Sequence, residues 1–366
     1  MLSILAWTAG VSAAIYTTAL LFLLLGMLRL RRPKVAQQPE VSIVVAARNE
    51  AKNLPKCLAA LSAQTYPGPL TEIIVVNNLS QDDSAAVLET WRQKLARLTI
   101  MQLDDIPLGI SPKKHALSCG IAEASGSLIV TTDADCSPPP RWLETMISHF
   151  SAETGLLAGP APLEPQGWLG GVLALDSVAS MAVAAGGCGW NTAITCTGRN
   201  LAYRKQVFDL VGGFGETGAS LSGDDDLLMQ RVRRNSAARV DFALSPEAVV
   251  PSQSVRTLRE YFRQRRRHVS AGKYYTPRLK FAYLTVNICN AVLFVFPATA
   301  LGSGVNVSLA FTLLGVKLTC DLAVLALAAA RIGKSRLLFY FPLWQLFFII
   351  SQILVAPLGF AGRVRW

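Results

Sequence analysis

The stretch VSIVVAARNEAKNLPKCLAALSAQ, residues 41–64, contains the repeating unit of the fold. Its first seven residues are apolar or β-branched with little alternation, the pattern of a strand covered on both faces. The run stops at a polar cluster, Arg48, Asn49 and Glu50, and apolar residues return at helical spacing over residues 53–64. A buried strand that passes through a polar loop into a helix is half of a βαβ unit.

The unit recurs downstream. TEIIVVNN, LTIMQL and SLIVTTD (residues 71–78, 98–103 and 127–133) read as further buried strands, and residues 83–96, 112–125 and 140–150 as helices between them. Asn53 and Asp83 stand where N-caps of the first two helices belong. This alternation predicts an α/β domain around a mostly parallel sheet, with ligands gathered outside the carboxyl ends of its strands. Three of those ends are polar: Arg48, Asn49 and Glu50 after the first strand, Asn77, Asn78, Ser80 and Asp82 at the second, Asp133 and Asp135 at the fourth. In extended chain, Asp133 and Asp135 would point to one side. One or two carboxylates together with substrate phosphates commonly hold Mg²⁺ or Mn²⁺. A lone Asp-x-Asp is also ordinary turn chemistry. Three polar strand ends converging on one crevice form the pattern of a nucleotide pocket.

Composition places this domain beside a membrane. The 366 residues are 51% hydrophobic with a formal net charge of +11. Residues 4–28 carry no charge and are long enough to cross a bilayer, followed by Arg29, Arg31, Arg32 and Lys34. The stretch exceeds a signal-peptide core and its charges follow rather than precede it, so it reads as an anchor with a cytoplasmic basic flank. Three further apolar segments, 281–301, 305–330 and 337–360, close the chain. The linker between the first two is uncharged, and that between the last two carries Arg331, Lys334 and Arg336. Arg363 and Arg365 then fall on the far side, unless Pro342 and Pro357 break the last segment into a re-entrant one. Lys317 and Asp321 share a helix face, either as a clamp between helices or as part of an ion or substrate path.

The resulting division is an anchor and basic flank (1–34), an α/β domain (35–253), a basic interfacial segment (254–280) and C-terminal transmembrane helices (281–366). Residues 155–196 contain only Glu164 and Asp176 as charges. They read as a helix lying in the interface or lining a cleft, or as a core helix, and as too short and glycine-rich to span. The seven cysteines form no CxxC pair, and with three histidines a zinc site is not expected. Scattered cysteines fit reduced thiols in a cytosolic compartment.

Residues 41–50, 72–83 and 109–117 and the Asp133/Asp135 pair, in that order, resemble the family 2 glycosyltransferases of GT-A fold. They are most similar to the membrane-bound branch that includes ceramide glucosyltransferases and bacterial polysaccharide synthases. The resemblance covers about residues 39–275. It implies an inverting, metal-dependent transfer of a sugar from a nucleotide diphosphate donor, with a UDP-sugar first in line, to a membrane lipid. The transfer would take place on the cytosolic face of the cell (inner) membrane in a multi-pass protein. A polysaccharide synthase subunit is the alternative acceptor reading, and a non-catalytic membrane protein that binds nucleotide sugars or anionic lipid is the alternative of another class. Carried over residue by residue, Ala47, Arg48, Asn49, Glu50, Asn77, Asn78, Lys113 and Asp133 would meet the donor, and Asp135 with Asp133 would hold Mg²⁺ or Mn²⁺.

Two later segments extend the likeness. TGRNLAYRKQVFDLVGGF (197–214) followed by SGDDDLLMQRV (222–232) is similar to the acceptor-side segment, in which an ED-x-DL carboxylate is the catalytic base. Matching Asp226 and Leu227 to the DL places the base on Asp224, with Gly223 in the Glu position. A slip of one residue gives the role to Asp225. Aspartates opening a helix favour its positive end, which accounts for one of the three more readily than for all, since packed like charges repel.

YFRQRRRHVSAGKYY (261–275) resembles the QxxRW element over the diphosphate, with Gln264, Arg267 and His268 in the Q, R and W positions. Arginine there supplies fixed, delocalised donors to a departing diphosphate. The sequence departs from the family at His268, which weakens a stacking role, and at Asn77 and Asn78, which replace aspartates. An amide both donates and accepts and so still reads uracil. Residues 256–280 carry nine Lys or Arg against one acid, Glu260. Beside a membrane segment and without a nucleic-acid motif, these charges read as contacts to anionic headgroups rather than to nucleic acid, with Gln264 and Arg267 turned to the site.

Overall fold

The computed structural model describes residues 2–31, 33, 38–215, 220, 223–255 and 257–360, except for the side chains of residues 2, 3 and 355–360. Arg32, Lys34, Ser222, Arg256, Arg363 and Arg365 lie outside the described residues. Strands β1 (Val41–Ala47), β2 (Thr71–Asn78), β3 (Leu98–Leu103) and β4 (Leu128–Thr131) form a parallel set in the order β3-β2-β1-β4. Of the seven residues of β1, six are buried, as its uninterrupted apolar run requires.

The sheet continues beyond β4. β5 (Thr154–Ala158), β7 (Leu201–Arg204) and β8 (Arg239–Phe242) complete seven strands in the order β3-β2-β1-β4-β7-β5-β8, and β6 (Leu163–Glu164) pairs with β9 (Ser252–Gln253). β7 runs antiparallel to both neighbours, β4 and β5. Helices α2 (Leu54–Ser62) and α5 (Trp142–Ser148) bury Leu54, Leu58, Trp142 and Met146 on one face of the sheet. On the other, α4 (Pro112–Glu123) packs Leu117 and Ile121 beside Val44 and Val76. α3 (Ser84–Arg92) covers the β3 side. The expected caps are not made by Asn53 and Asp83. Asn53 instead donates from Nδ2 to Glu50 (2.6 Å), and it is Asp82 that accepts from the Ser84 backbone N–H (3.0 Å) at the start of α3.

Among the described residues, five helices are long and apolar enough to cross a membrane by length and composition. They are α1 (Leu2–Arg29), α6 (Gly167–Gly189), α10 (Pro277–Ser303), α11 (Val307–Arg331) and α12 (Phe341–Phe360). α6 corrects the reading of residues 155–196, because it has the length of a span. It is 72% buried over its apolar window, against 28–33% for the others, so it meets protein where they present side chains outward. Val172, Leu175 and Val178 lie in one core with Val240 and Phe242 of β8, Met27 of α1 and Val324 of α11, which fuses the sheet to the bundle. α1 crosses α6 where glycines meet. A Cβ on Gly26 would fall 2.0 Å from the Gly186 carbonyl oxygen, a contact only glycine permits.

The charged ends of the helices collect on the side of the sheet. Arg31 pairs with Glu153 (2.7 Å), Arg29 stacks over Trp190 (4.3 Å), and the turn Ser335–Tyr340 after Arg331 and Lys334 packs on α6. The uncharged turn between α10 and α11 sits at the far end, beside Ala9. α12 is continuous through Pro357, so the last segment is not a broken one. Lys317 bonds Asp321 (2.8 Å) and Gln345, and Asp321 accepts from Tyr16 (2.7 Å) and Gln345 (2.7 Å), all of them buried. The pair is thus a closed clamp joining α1, α11 and α12.

Candidate active site

The site assembles at the carboxyl ends of β1, β2 and β4. Pairing in β4 ends at Thr131, and Asp133 accepts from the Cys136 N–H (3.0 Å), so Asp133 and Asp135 stand in a tight turn. The extended geometry expected for them is corrected accordingly. Beneath the turn lie the thiols of Cys57, 3.8 Å from the Asp133 carbonyl, and Cys136, 3.5 Å from Asp135. Burial pushes Cys57 up to about 12, so it packs as a neutral thiol.

The loop after β1 is stitched to that after β2. Ser80 accepts from the Asn49 N–H (2.9 Å), Asn49 accepts from Gln81 (2.7 Å), and Asp82 accepts from Ala51 (3.0 Å). Asn49 (φ 58°) and Leu79 (φ 55°) both take the left-handed conformation here, a local strain of the kind that gathers at functional sites. Ala47 is buried in register with Asn77, whereas Arg48 is exposed. Asn77 donates to Gln102 (2.7 Å) and Asn78 to the Pro112 carbonyl (3.0 Å), which leaves both Oδ1 acceptors buried without a partner. A buried acceptor without a donor costs about 1–3 kcal/mol, so each presents a lone pair that a bound N–H would satisfy.

α4 delivers Lys113 to the centre of the crevice. Its ammonium lies 2.8 Å from Asp133 and 2.9 Å from Asp224, joining the donor-side turn to the acidic run that opens α8 (Asp226–Asn235). Burial opposes the ammonium, but the two carboxylates outweigh it and raise Lys113 above its ordinary value. Burial likewise pushes Asp224 up, and Lys113 overrides it to hold the carboxyl below the usual range.

The three successive aspartates divide their work. Asp225 caps α8, accepting from the Asp226 N–H (2.7 Å) and from Gly198 (2.9 Å), and burial with the Asp224 charge pushes it up. Asp226 accepts from the Tyr275 hydroxyl, and burial with the Asp225 charge pushes it well up. Asp224 alone is turned toward Lys113 and the crevice. Gly223 has φ +82°, which explains a glycine in that position, and a Cβ on Gly198 would lie 2.8 Å from Asp224 Oδ2.

α9 (Leu258–Ser270) carries Gln264, Arg267 and His268 at i, i+3 and i+4. Nearby protein and the charges of Arg267, Arg265 and Arg199 lower His268, although the residue stays solvent-exposed, and the Asp224 charge also reaches it. His268 on this element thus lies within range of the Asp224 charge. Arg265 departs from the headgroup reading, because it turns inward to Asp176 (3.9 Å).

Two site residues escape sequence reasoning. Arg199 donates to the Ala161 carbonyl (3.3 Å) and its charge reaches both Asp135 and His268; its signal is the TGRN quartet. Lys114 is buried behind Lys113, pulled down by burial and held up by the charges of Asp224, Asp225 and Asp226. No spacing rule says which of two adjacent lysines turns inward.

The donor set suits a divalent cation that arrives with phosphate. Among the described residues no three His, Cys, Asp or Glu side chains form a cage. Burial and the Asp133 charge push Asp135 up, and burial with the charges of Asp135 and Asp133 does the same to Glu50 despite its bond from Asn53. Two or three carboxylates that repel one another beside an open crevice fit a cation whose remaining ligands are donor oxygens.

Against known proteins, residues 42–214 match the family model described as Glycosyl transferase family 2. The match stops short of Asp224 and of α9. Among curated relatives, the glycosyltransferase AglE of Haloferax volcanii is 36% identical over 113 residues, 31% of this chain and 36% of that protein. A β-monoglucosyldiacylglycerol synthase of Synechocystis is 27% identical over 200 residues, 52% of this chain and 40% of that one. The chain thus spans well under two thirds of the length of either relative. Among solved structures, the mannosyltransferase PcManGT of Pyrobaculum calidifontis in complex with GDP-Man and Mn²⁺ superposes with a TM-score of 0.58. The alignment covers 94% of this chain and 99% of that one at 20% identity, a likeness of fold. The fold is GT-A, a mostly parallel sheet with apolar helices at both ends of the chain.

Proposed function

With residues 42–214 forming a glycosyl transferase family 2 domain, we propose that this protein transfers a sugar, with inversion, from a nucleotide diphosphate donor to the hydroxyl of a membrane lipid. The observation that carries the reading is Lys113, which spans from Asp133 on the donor side to Asp224 on the acceptor side within 2.9 Å of each. One crevice therefore brings both reactants into reach.

Asp224, held ionised by Lys113, accepts the proton of the acceptor hydroxyl. The hydroxyl oxygen attacks the anomeric carbon from the face opposite the leaving group, the bond to the diphosphate breaks, and its electron pair leaves with the diphosphate. Arg267 and Lys113 supply positive charge to that oxyanion. Asp135, with Asp133, would hold Mg²⁺ or Mn²⁺, which when bound neutralises diphosphate charge as a Lewis acid. Glu50, Asn77 and Asn78 line the nucleotide end, and the free Oδ1 acceptors suit a base that offers an N–H, as uracil does.

A lipid acceptor is supported by the apolar helices beside the acidic run and by the lipid product named for the Synechocystis relative. The α6 span is occupied by protein contacts, and four outward-facing spans leave little room for a polysaccharide pore within one copy of the chain. The basic ends gathered on the side of the sheet favour a cytoplasmic catalytic domain.

The test is release of nucleoside diphosphate from UDP- and GDP-sugars by the full chain in lipid nanodiscs with Mn²⁺ or Mg²⁺ and a lipid extract. Turnover lost in Asp135→Ala and Asp224→Asn supports the reading. No turnover with any donor, with nucleotide still bound, favours a nucleotide-sugar binding protein instead.

A further inference from the structure

Asp176 is a lone carboxylate on the apolar helix α6, 7% exposed, and a buried charge persists only where something compensates it. Two groups from separate helices do so. Trp344 of α12 donates from Nε1 to Oδ1 (3.2 Å), and Arg265 of α9 brings Nη1 to 3.9 Å of Oδ2. Around this junction Tyr261, one turn before Arg265 on α9, packs edge-on against Phe347 of α12 (5.1 Å), and Trp344 stacks on Phe348 (4.9 Å). Tyr261 and Arg265 form one stripe of α9, and Gln264, Arg267 and His268 form the adjoining one. Fixing the first stripe therefore fixes the azimuth of the second.

Helix α9 turns its narrow apolar side, with buried Tyr261, against α12, while most of its other side chains are polar or charged. The Asp176–Arg265 contact adds a second anchor from α6, which together with Tyr261 fixes the rotation of the helix. We infer that Asp176 is a positioning residue for nucleoside diphosphate binding: through Arg265 it holds α9 so that Arg267 and Gln264 reach the crevice. The inference rests on the transferase reading above, which places Arg267 at the diphosphate. It assigns a role to a residue that touches neither donor nor acceptor. The bundle is thereby more than an anchor, since α6 and α12 set the geometry of the diphosphate-binding element.

The experiment measures UDP and GDP binding to the full chain in nanodiscs with Mn²⁺, for wild type, Asp176→Asn, Asp176→Glu, Arg267→Ala and the double variant Asp176→Asn/Arg267→Ala. Mn²⁺ binding without nucleotide is followed by electron paramagnetic resonance. Asp176→Asn is expected to weaken nucleotide binding about tenfold, the scale at which residues acting through one another couple. Mn²⁺ binding and thermal midpoint stay as in wild type, and Asp176→Glu recovers most of the affinity. In the Arg267→Ala background, Asp176→Asn adds far less than it costs alone, because only Gln264 is left to position. Additive losses in the double variant, or equal nucleotide binding by wild type and Asp176→Asn, overturn the inference while leaving the transferase reading intact. A wild type that binds neither UDP nor GDP defeats both. If Asp176→Asn does not fold, Trp344→Phe, which removes the indole donor together with part of the ring, is read in the same cycle: non-additivity with Arg267→Ala sustains the inference and additivity overturns it.

Discussion

Among the described residues a carboxylate–ammonium cluster is buried in the membrane bundle and another at the mouth of the sheet, and they are finished differently. Around Asp321 every strong partner is in place: Lys317, Tyr16 and Gln345 close a ring of bonds at 2.7–2.8 Å or shorter. Around Asp224 the ring stays open. One lysine is divided between two carboxylates that belong to different loops, and Asp226 Oδ1, Asn77 Oδ1 and Asn78 Oδ1 lack partners. A closed network holds helices together, whereas an open one retains binding capacity for something else. The comparison gives a physical criterion for separating structural charges from functional ones at similar burial.

Substitutions at the two clusters should therefore fail in different ways. Asp224→Asn is expected to cost about 10²–10⁴-fold in turnover, the span of general base catalysis, with nucleotide binding and thermal midpoint unchanged. Lost folding in place of lost turnover would put Asp224 in the structural class and break the contrast. Lys317→Met strands Asp321 in the bundle and is expected to destabilise by about 3–5 kcal/mol, read as a fall in thermal midpoint in nanodiscs. Replacing both, as in Lys317→Met/Asp321→Leu, should restore most of that stability, since a buried pair is worth little relative to apolar packing. A double variant as weak as the single one would show that the pair does more than clamp.

Lys113 joins the open cluster and should respond kinetically. In Lys113→Met burial of Asp224 is opposed only by a backbone hydrogen bond and the Lys114 charge, so its carboxyl titrates at higher pH than in wild type. The acidic limb of the pH profile of kcat/KM should move to higher pH in step. An unmoved limb would mean that Asp224 is not the titrating base. Asp225→Ala belongs with the closed class despite its position. It removes a helix cap worth about 1 kcal/mol, visible in the thermal midpoint more than in turnover.

Legibility in the sequence follows the same physics. β1 to β4 are readable because buried strands of a parallel sheet are covered on both faces, and a short uninterrupted apolar run between polar turns is what such covering selects. β7 and β8 are four residues each, bounded by Arg204 and Arg239, and too short for any period to declare itself. The acidic and basic residues of the site were legible as types at strand ends. Their partition was not, because whether Asp224 or Asp225 faces the crevice depends on a cap to Gly198 contributed from a distant loop. Asp176 and Arg265 illustrate the limit, since nothing local to either residue names the other.

The smallest expected effect tests the third aspartate. Asp226 is pushed well above the ordinary carboxylate range by burial and by the Asp225 charge, although Tyr275 donates to it. A group whose folded value is raised contributes stability in full below its unfolded value near 4, and that contribution is lost as pH rises through the folded value. Wild type should therefore lose a little stability as pH climbs from about 5 toward 8, where Asp226→Asn should lose less. Asparagine keeps an acceptor for Tyr275 and removes the charge, so at neutral pH the change should amount to less than about 1 kcal/mol. Thermal midpoints of the two proteins across that range provide the measurement. Parallel curves would mean that Asp226 is ionised and compensated, which would move it from the open cluster to the closed class represented by Asp321.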